Sequence, residues 1–256
     1  MRHDTERRGT LWVAGPTAIP TVTAAQMREV DRLMVEDLHV ELLQMMESAG
    51  HALAVLARRA LQGDPRGKHV VVLAGRGGNG GGGLAAARWL ANWGARVSVV
   101  LAHPKHDLTA APAHQLAVLE RMGVDVRPDD APIAGAELIL DALVGYDLHG
   151  EPQGRVAELI GAANAWRIPT IALDVPSGLD PDTGEAAEPT IRAMSTLTLA
   201  LPKTGLVAPV ARRWVGELYL ADISVPDLVY RRLGLTVGPI FAKADIVALE
   251  AGAPEL

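Results

Sequence analysis

The sequence predicts an α/β fold: a largely parallel sheet with helices on both faces. From Lys68 onward, short apolar runs rich in β-branched residues alternate with stretches of helical periodicity. The first of these runs, His69 to Ala74, leads straight into a glycine segment that opens a helix. No composition break, internal repeat or low-complexity linker divides the chain, so one domain is expected over residues 21–256.

Residues 1–20 are polar and charged, end near two prolines, and read as a mobile N-terminal extension. They hold no apolar stretch of signal-peptide length and no later segment approaches a membrane span, so a cytoplasmic location is expected. Thr23-x-x-Gln26 has the form of a capping box opening a helix through about Asp37, with Met27, Val30, Met34 and Val35 as its apolar stripe. A second helix is expected over 41–61, its Leu42–Met46 cluster in the core. Both helices precede the first strand and must pack on the finished sheet or on a second subunit.

Strands are then expected near 69–74, 96–102, 124–127, 137–141, 169–174, 195–200 and 217–222, with helices near 83–93, 109–122 and 152–165. At 256 residues, 49% hydrophobic and 21% charged, the chain can bury one substantial core. Its net charge of −6 with dispersed basic residues argues against nucleic acid as the main partner. The chain has no cysteine, which excludes disulfides and thiolate catalysis. The eight histidines lack zinc-ligand spacing and are expected at the surface.

Seven of the nine residues from Gly75 to Gly83 are glycine. Glycine in an ordered element costs roughly 0.5–1 kcal/mol relative to alanine, so such a segment implies close backbone approach, and at a helix N-terminus the ligand is usually anionic. Gly75-x-Gly77-x-x-Gly80 matches the dinucleotide fingerprint, but no carboxylate follows the next strand to hold a ribose. Gly81 and Gly82 stand where a P-loop needs Lys and Ser/Thr, which excludes that ATPase class.

Ligands of open parallel sheets bind beyond the carboxyl ends of the strands, and polar residues gather there. Asp141 and Asp174 end apolar runs, and Ser177 and Asn79 are brought toward the same crevice. This oxygen-rich set suits a hard cation rather than zinc or copper, and leaves one carboxylate free for acid/base work. Either aspartate alone could simply cap a turn. Lys203, after the strand ending near Ala200, could contact a phosphate, pair with Asp174, or lie in solvent.

Taken in order, Met46-Glu47-Ser48-Ala49-Gly50, Gly75 to Gly83, Leu140-Asp141-Ala142-Leu143-Val144-Gly145, Ala172-Leu173-Asp174-Val175-Pro176-Ser177-Gly178-Leu179-Asp180 and Leu201-Pro202-Lys203-x-Gly205 resemble the NAD(P)H-hydrate epimerase family, the YjeF N-terminal domain family. The resemblance implies a Rossmann-like three-layer α/β/α sandwich, commonly dimeric, that interconverts the R and S epimers of hydrated NADH and NADPH beside a partner dehydratase. It implies potassium held by Asn79, Asp141 and Ser177, and no zinc or flavin. NAD(P)H hydrate is then a substrate lying along Gly78, Asn79, Gly80, Gly81 and Gly82, along Gly145, Tyr146, Asp147 and Leu148, and against Asp174.

Losing and regaining a hydroxyl at the hydrated carbon needs a carboxyl that donates and recovers a proton; Asp174 is the candidate, with Lys203 beside it. Asp174→Asn is expected to abolish turnover with the fold nearly intact. The sequence departs from the family pattern at Gly78, Gly82, Tyr146 and Asp147, where Asn, Asp, Thr and Gly are usual. A same-fold enzyme acting on another nucleotide-like or small cyclic substrate, or a non-catalytic nucleotide-binding or scaffold module, is the alternative expectation.

Overall fold

The structure, a computed structural model, describes residues 11–13, 19–127, 135–147 and 150–249. Among them, nine strands form one sheet: β1 (Leu11–Val13), β2 (His69–Ala74), β3 (Arg96–Leu101), β4 (Asp125–Arg127), β5 (Leu138–Ala142), β6 (Thr170–Leu173), β7 (Ser195–Leu199), β8 (Glu217–Ala221) and β9 (Ile246–Leu249). The spatial order is β1-β9-β8-β7-β6-β5-β2-β3-β4, parallel throughout except between β8 and β9.

The helices are α1 (Ala24–Arg32), continued by a π-helical turn over Leu33–Asp37, then α2 (Leu42–Ala60), α3 (Gly78–Asn92), α4 (Ala110–Arg121), α5 (Gly154–Trp166), α6 (Arg212–Val215) and α7 (Asp227–Arg232). The period of two along β2 divides the core. Val70, Val72 and Ala74 meet Leu53, Leu84, Leu90 and Leu119 of α2, α3 and α4. Val71 and Leu73 face the other way, into Val156, Leu159 and Ile160 of α5. Burial on both faces explains the unbroken apolar runs of a parallel sheet.

The capping box at α1 is present: Gln26 N donates to Thr23 Oγ1 at 3.2 Å and Thr23 N to Gln26 Oε1 at 2.9 Å. Met27, Val30 and Met34 are buried with Met45, Ile223 and Tyr230, whereas Val35, expected on the stripe, is 40% exposed. The π-helical turn shifts the angular phase after Leu33, so a strict 3.6-residue stripe no longer holds there. Of the extension expected over 1–20, Leu11–Val13 forms an edge strand on β9 and Ile19 and Pro20 are half-buried; the rest lies outside the described residues. β1, β9, α6 and α7 were not predicted by the sequence pattern.

Helix α3 starts at Gly78, five residues before the expected position. Glycine's poor helix propensity argues for a loop here, but close packing overrides it. A β-carbon on Gly81 would lie 2.3 Å from Met46 Sδ, on Gly82 2.8 Å from Leu173 Cδ2, and on Gly83 2.4 Å from Ala142 Cβ. Gly50 of α2 repeats the constraint, its β-carbon position 2.4 Å from Ala85 Cβ. Bare backbone lets the start of α3 press against both α2 and the sheet.

Candidate functional site

From β2 the chain runs outward through β3 to β4, then crosses back to β5 on the other side and continues through β6, β7 and β8. The order therefore reverses between β2 and β5, and a crevice opens beyond their carboxyl ends. A cavity of about 1100 Å³ occupies that place. Arg76, Gly77, Gly78 and Asn79 form one wall, Leu143 to Asp147 another, and Asp174 and Lys203 sit between them; Met27, Asp31, Met45 and Met46 close it from α1 and α2.

Asp174 follows β6 with φ +67°, a left-handed conformation that few residues other than glycine adopt and that Asp tolerates better than most. Its amide donates to Leu197 O at 2.8 Å, which fixes the turn to β7. Oδ1 forms an ion pair with Lys203 Nζ, and Oδ2 accepts from Tyr146 N at 3.2 Å. Lys203 is fully buried, which settles the three readings of its position in favour of the pair. Its ammonium also donates to Leu199 O at 3.0 Å and reaches Thr198 Oγ1 at 3.5 Å, so all three of its donors have partners. Asp174→Asn would leave the buried Lys203 ammonium without its counter-charge, so the geometry argues for a loss of stability, against the expectation of a nearly intact fold.

Asp141 is also fully buried, but among the described residues it has no basic partner. Ser177 N donates to Oδ2 at 2.9 Å, Ser177 Oγ lies 2.7 Å from Oδ1, and Leu143 N donates to Oδ1 at 3.2 Å. Burial pushes its pKa up to about 6 against the pull of those hydrogen bonds. Ser177 Oγ accepts from Val144 N at 3.0 Å, tying the turn after β6 to the loop after β5.

Gly145 faces both walls. A β-carbon there would lie 3.1 Å from Asp174 Oδ2 and 3.3 Å from Asn79 Oδ1. The Asn79 Nδ2 is buried and has no hydrogen-bond partner among the described residues. Tyr146 is half-buried, its ring 5.6 Å from Lys203 Nζ and its hydroxyl donating to Asp31 Oδ2. Burial raises the pKa of both groups; the Asp31 carboxylate adds to the rise at Tyr146, and the tyrosine's hydrogen bond opposes it at Asp31. Asp147 pairs with Arg28 of α1 at 3.0 Å.

The structure thus gathers Gly78, Asn79, Gly145, Tyr146, Asp147, Asp174 and Lys203 around one cavity, with Asp141 and Ser177 bonded together behind the loop after β5. Gly80, Gly81 and Gly82 are buried, with Gly81 and Gly82 facing Met46 and Leu173 and off the cavity wall. Leu148 lies outside the described residues. Three histidines depart from the surface expectation, among them His51, half-buried with its ring 4.5 Å from that of Trp89. His69 is 5% exposed, its Nε2 3.1 Å from Ser98 Oγ, and His103 lines the cavity. Met45 and Met46 serve both core and cavity.

Asp31 is the residue that motif reading missed. One signal was available: Met27, Val30, Asp31 and Met34 stand at i, i+3, i+4 and i+7, which puts a carboxylate on the apolar stripe of α1.

Residues 42–205 match the family model described as the YjeF-related protein N-terminus. A protein of Dehalogenimonas lykanthroporepellens named NAD(P)H-hydrate epimerase is 47% identical over 219 residues, 85% of this chain and 87% of its own length. Another so named, from Rhodopirellula baltica, is 35% identical over 85% of this chain and 89% of its own. The chain spans 41% of the length of a Moorella thermoacetica relative named as a bifunctional NAD(P)H-hydrate repair enzyme, to which it is 35% identical over 80% of its residues. A yeast protein of known crystal structure superposes with a TM-score of 0.78 at 25% identity, over 90% of this chain and 100% of the yeast one. A glycine-opened helix at the sheet's switch point, two buried aspartates at neighbouring strand ends and these likenesses agree, and the chain belongs to the YjeF-related N-terminal family, the family of the NAD(P)H-hydrate epimerases.

Proposed function

We propose that the protein is an NAD(P)H-hydrate epimerase, an isomerase that interconverts the R and S forms of hydrated NADH and NADPH. The observation that carries this reading is the Asp174–Lys203 pair on the cavity wall, separated from Asn79 only by the missing side chain of Gly145. Loss of the hydroxyl from the hydrated ring carbon, driven by the ring nitrogen lone pair, leaves a cationic ring. The Asp174 carboxylate is placed to stabilise that charge and to take a proton from the water that adds back. Lys203 supplies the counter-charge that a buried carboxylate needs and orients it. The backbone N–H groups at the start of α3, with Gly77 and Gly78 open to the cavity, suit the phosphate or ribose end of the substrate.

Asn79, Asp141 and Ser177 would hold a potassium ion. Two features support the fit: among the described residues, a fully buried carboxylate is bonded only to neutral donors, and a buried amide has an Nδ2 without a partner and, turned over, offers an oxygen. When bound, the cation supplies positive charge that fixes Asp141 and Asn79 in place. A homodimer in the cytoplasm working beside a dehydratase completes the proposal; the bifunctional names of some relatives support the partnership, and no helix among the described residues is long and apolar enough to cross a membrane.

The test supplies purified protein with the R epimer of hydrated NADH and an S-specific dehydratase, with and without potassium, and follows recovery of NADH. Potassium-dependent acceleration over the spontaneous rate is expected. Folded protein that gives no acceleration sinks the epimerase reading.

A further inference from the structure

Epimerising a hydrated carbon makes a stereochemical demand that one carboxylate does not meet. The hydroxyl leaves one face of the ring and water returns to the opposite face, so a proton must be handled on each side. Lys203 is poorly placed for the second task, because its donors are occupied by Asp174, Leu199 O and Thr198 Oγ1.

Asp31 has the required properties. It lines the cavity from α1, whereas Asp174 and Lys203 come from the segments after β6 and β7. Its Oδ2 accepts the Tyr146 hydroxyl, and its Oδ1 makes no hydrogen bond among the described residues. Tyr146 joins the two carboxyls physically: its backbone N–H binds Asp174 Oδ2 and its phenol binds Asp31 Oδ2, so one residue holds both at the cavity. Two carboxyls on one cavity are also what enzymes that invert a carbon centre with water use.

We propose that Asp31 is a second proton-transfer residue of this site, serving one face of the reacting carbon while Asp174 serves the other, with Tyr146 as the positioning residue that holds both. The assignment rests on the epimerase reading.

In one direction the protonated Asp31 carboxyl gives its proton to the leaving hydroxyl. The carbon–oxygen bond breaks, the ring nitrogen lone pair forms the C=N bond, and water departs. A water on the other face then adds to the carbon and releases a proton to the Asp174 carboxylate. The reverse direction exchanges the roles, and the open cavity lets both carboxyls return to their starting states through solvent. Burial favours the neutral acid at Asp31, whereas Asp174 faces a buried ammonium. Two carboxyls in such different surroundings can hold opposite roles at one pH.

The test runs the native protein, Asp31→Asn and Tyr146→Phe in ¹⁸O-labelled water with each pure epimer, scoring inversion and isotope exchange separately. Asparagine matches the shape of Asp31 and still accepts the tyrosine's proton, so melting temperature is expected to change little. Asp31→Asn is expected to slow inversion about 100-fold or more, the usual range for a lost acid/base group. The epimer whose hydroxyl faces Asp174 should still exchange oxygen with retention, an uncoupling that a merely structural role would not produce. Tyr146→Phe should move the exchange-to-inversion ratio the same way, by about tenfold. Inversion in Asp31→Asn within twofold of native, or exchange and inversion lost in equal proportion for both epimers, overturns the assignment alone. If the native protein accelerates neither process, the epimerase reading falls and takes this assignment with it.

Discussion

Asp141 and Asp174 stand at the carboxyl ends of neighbouring strands, equally buried, and the chain treats their charges differently. Asp174 has a cation of its own, the enclosed ammonium of Lys203; Asp141 has two N–H groups and a hydroxyl. On the proposed reading, the carboxylate that meets substrate is balanced by the buried ammonium of Lys203. The one that only neutral dipoles surround is, on the same reading, balanced by a cation from solution.

The sharpest way to break this contrast is to remove the internal cation. Lys203→Met should cost about 3–5 kcal/mol in denaturant unfolding, since it strands the Asp174 carboxylate, and Asp174→Asn should cost about 3 kcal/mol together with all turnover. In the double variant the two losses should fall short of their sum by about 2 kcal/mol, and strict additivity would deny the coupling. Asp141→Asn should cost less, about 1–3 kcal/mol, because the amide offers one acceptor where two N–H groups and a hydroxyl now converge. The same variant sharpens the comparison through potassium. The native protein should melt at higher temperature in potassium than in a bulky organic cation, by an increment worth about 2.7 kcal/mol at a hundred times the dissociation constant, and Asp141→Asn should lose that response. The smallest effect belongs to the rim: Arg28→Ala breaks an exposed pair with Asp147 and should shift stability by under about 1 kcal/mol.

Most of the scaffold was legible in the sequence because strands buried on both faces leave a strong apolar signature, and the convergence of Asp141, Asp174, Ser177 and Asn79 followed from where those strands end. What stayed hidden depends on contacts between distant segments. The early start of α3 is dictated by Met46, Ala142 and Leu173, which no propensity scale includes. In the sequence Lys203 could contact a phosphate, pair with Asp174 or lie in solvent, and only the parallel bridge to Val22 and the packing of α1 enclose it. Asp31 shows in the sequence only as a carboxylate on an apolar stripe, and its partner Tyr146 lies 115 positions away. The edge strand β1 and its neighbour β9 are three and four residues long, too short for periodicity to register.

The bare backbone at Gly145 has a practical use. Its φ is not in the glycine-only region, so alanine fits the chain there, yet its methyl group would wedge between Asp174 and Asn79 and deny the substrate its seat. Gly145→Ala should therefore yield an inert twin, alike in outline, surface charge and folding, and silent in turnover. Exchanged for the native protein in a living cell, such a twin separates what the molecule does as a catalyst from what it does by being present.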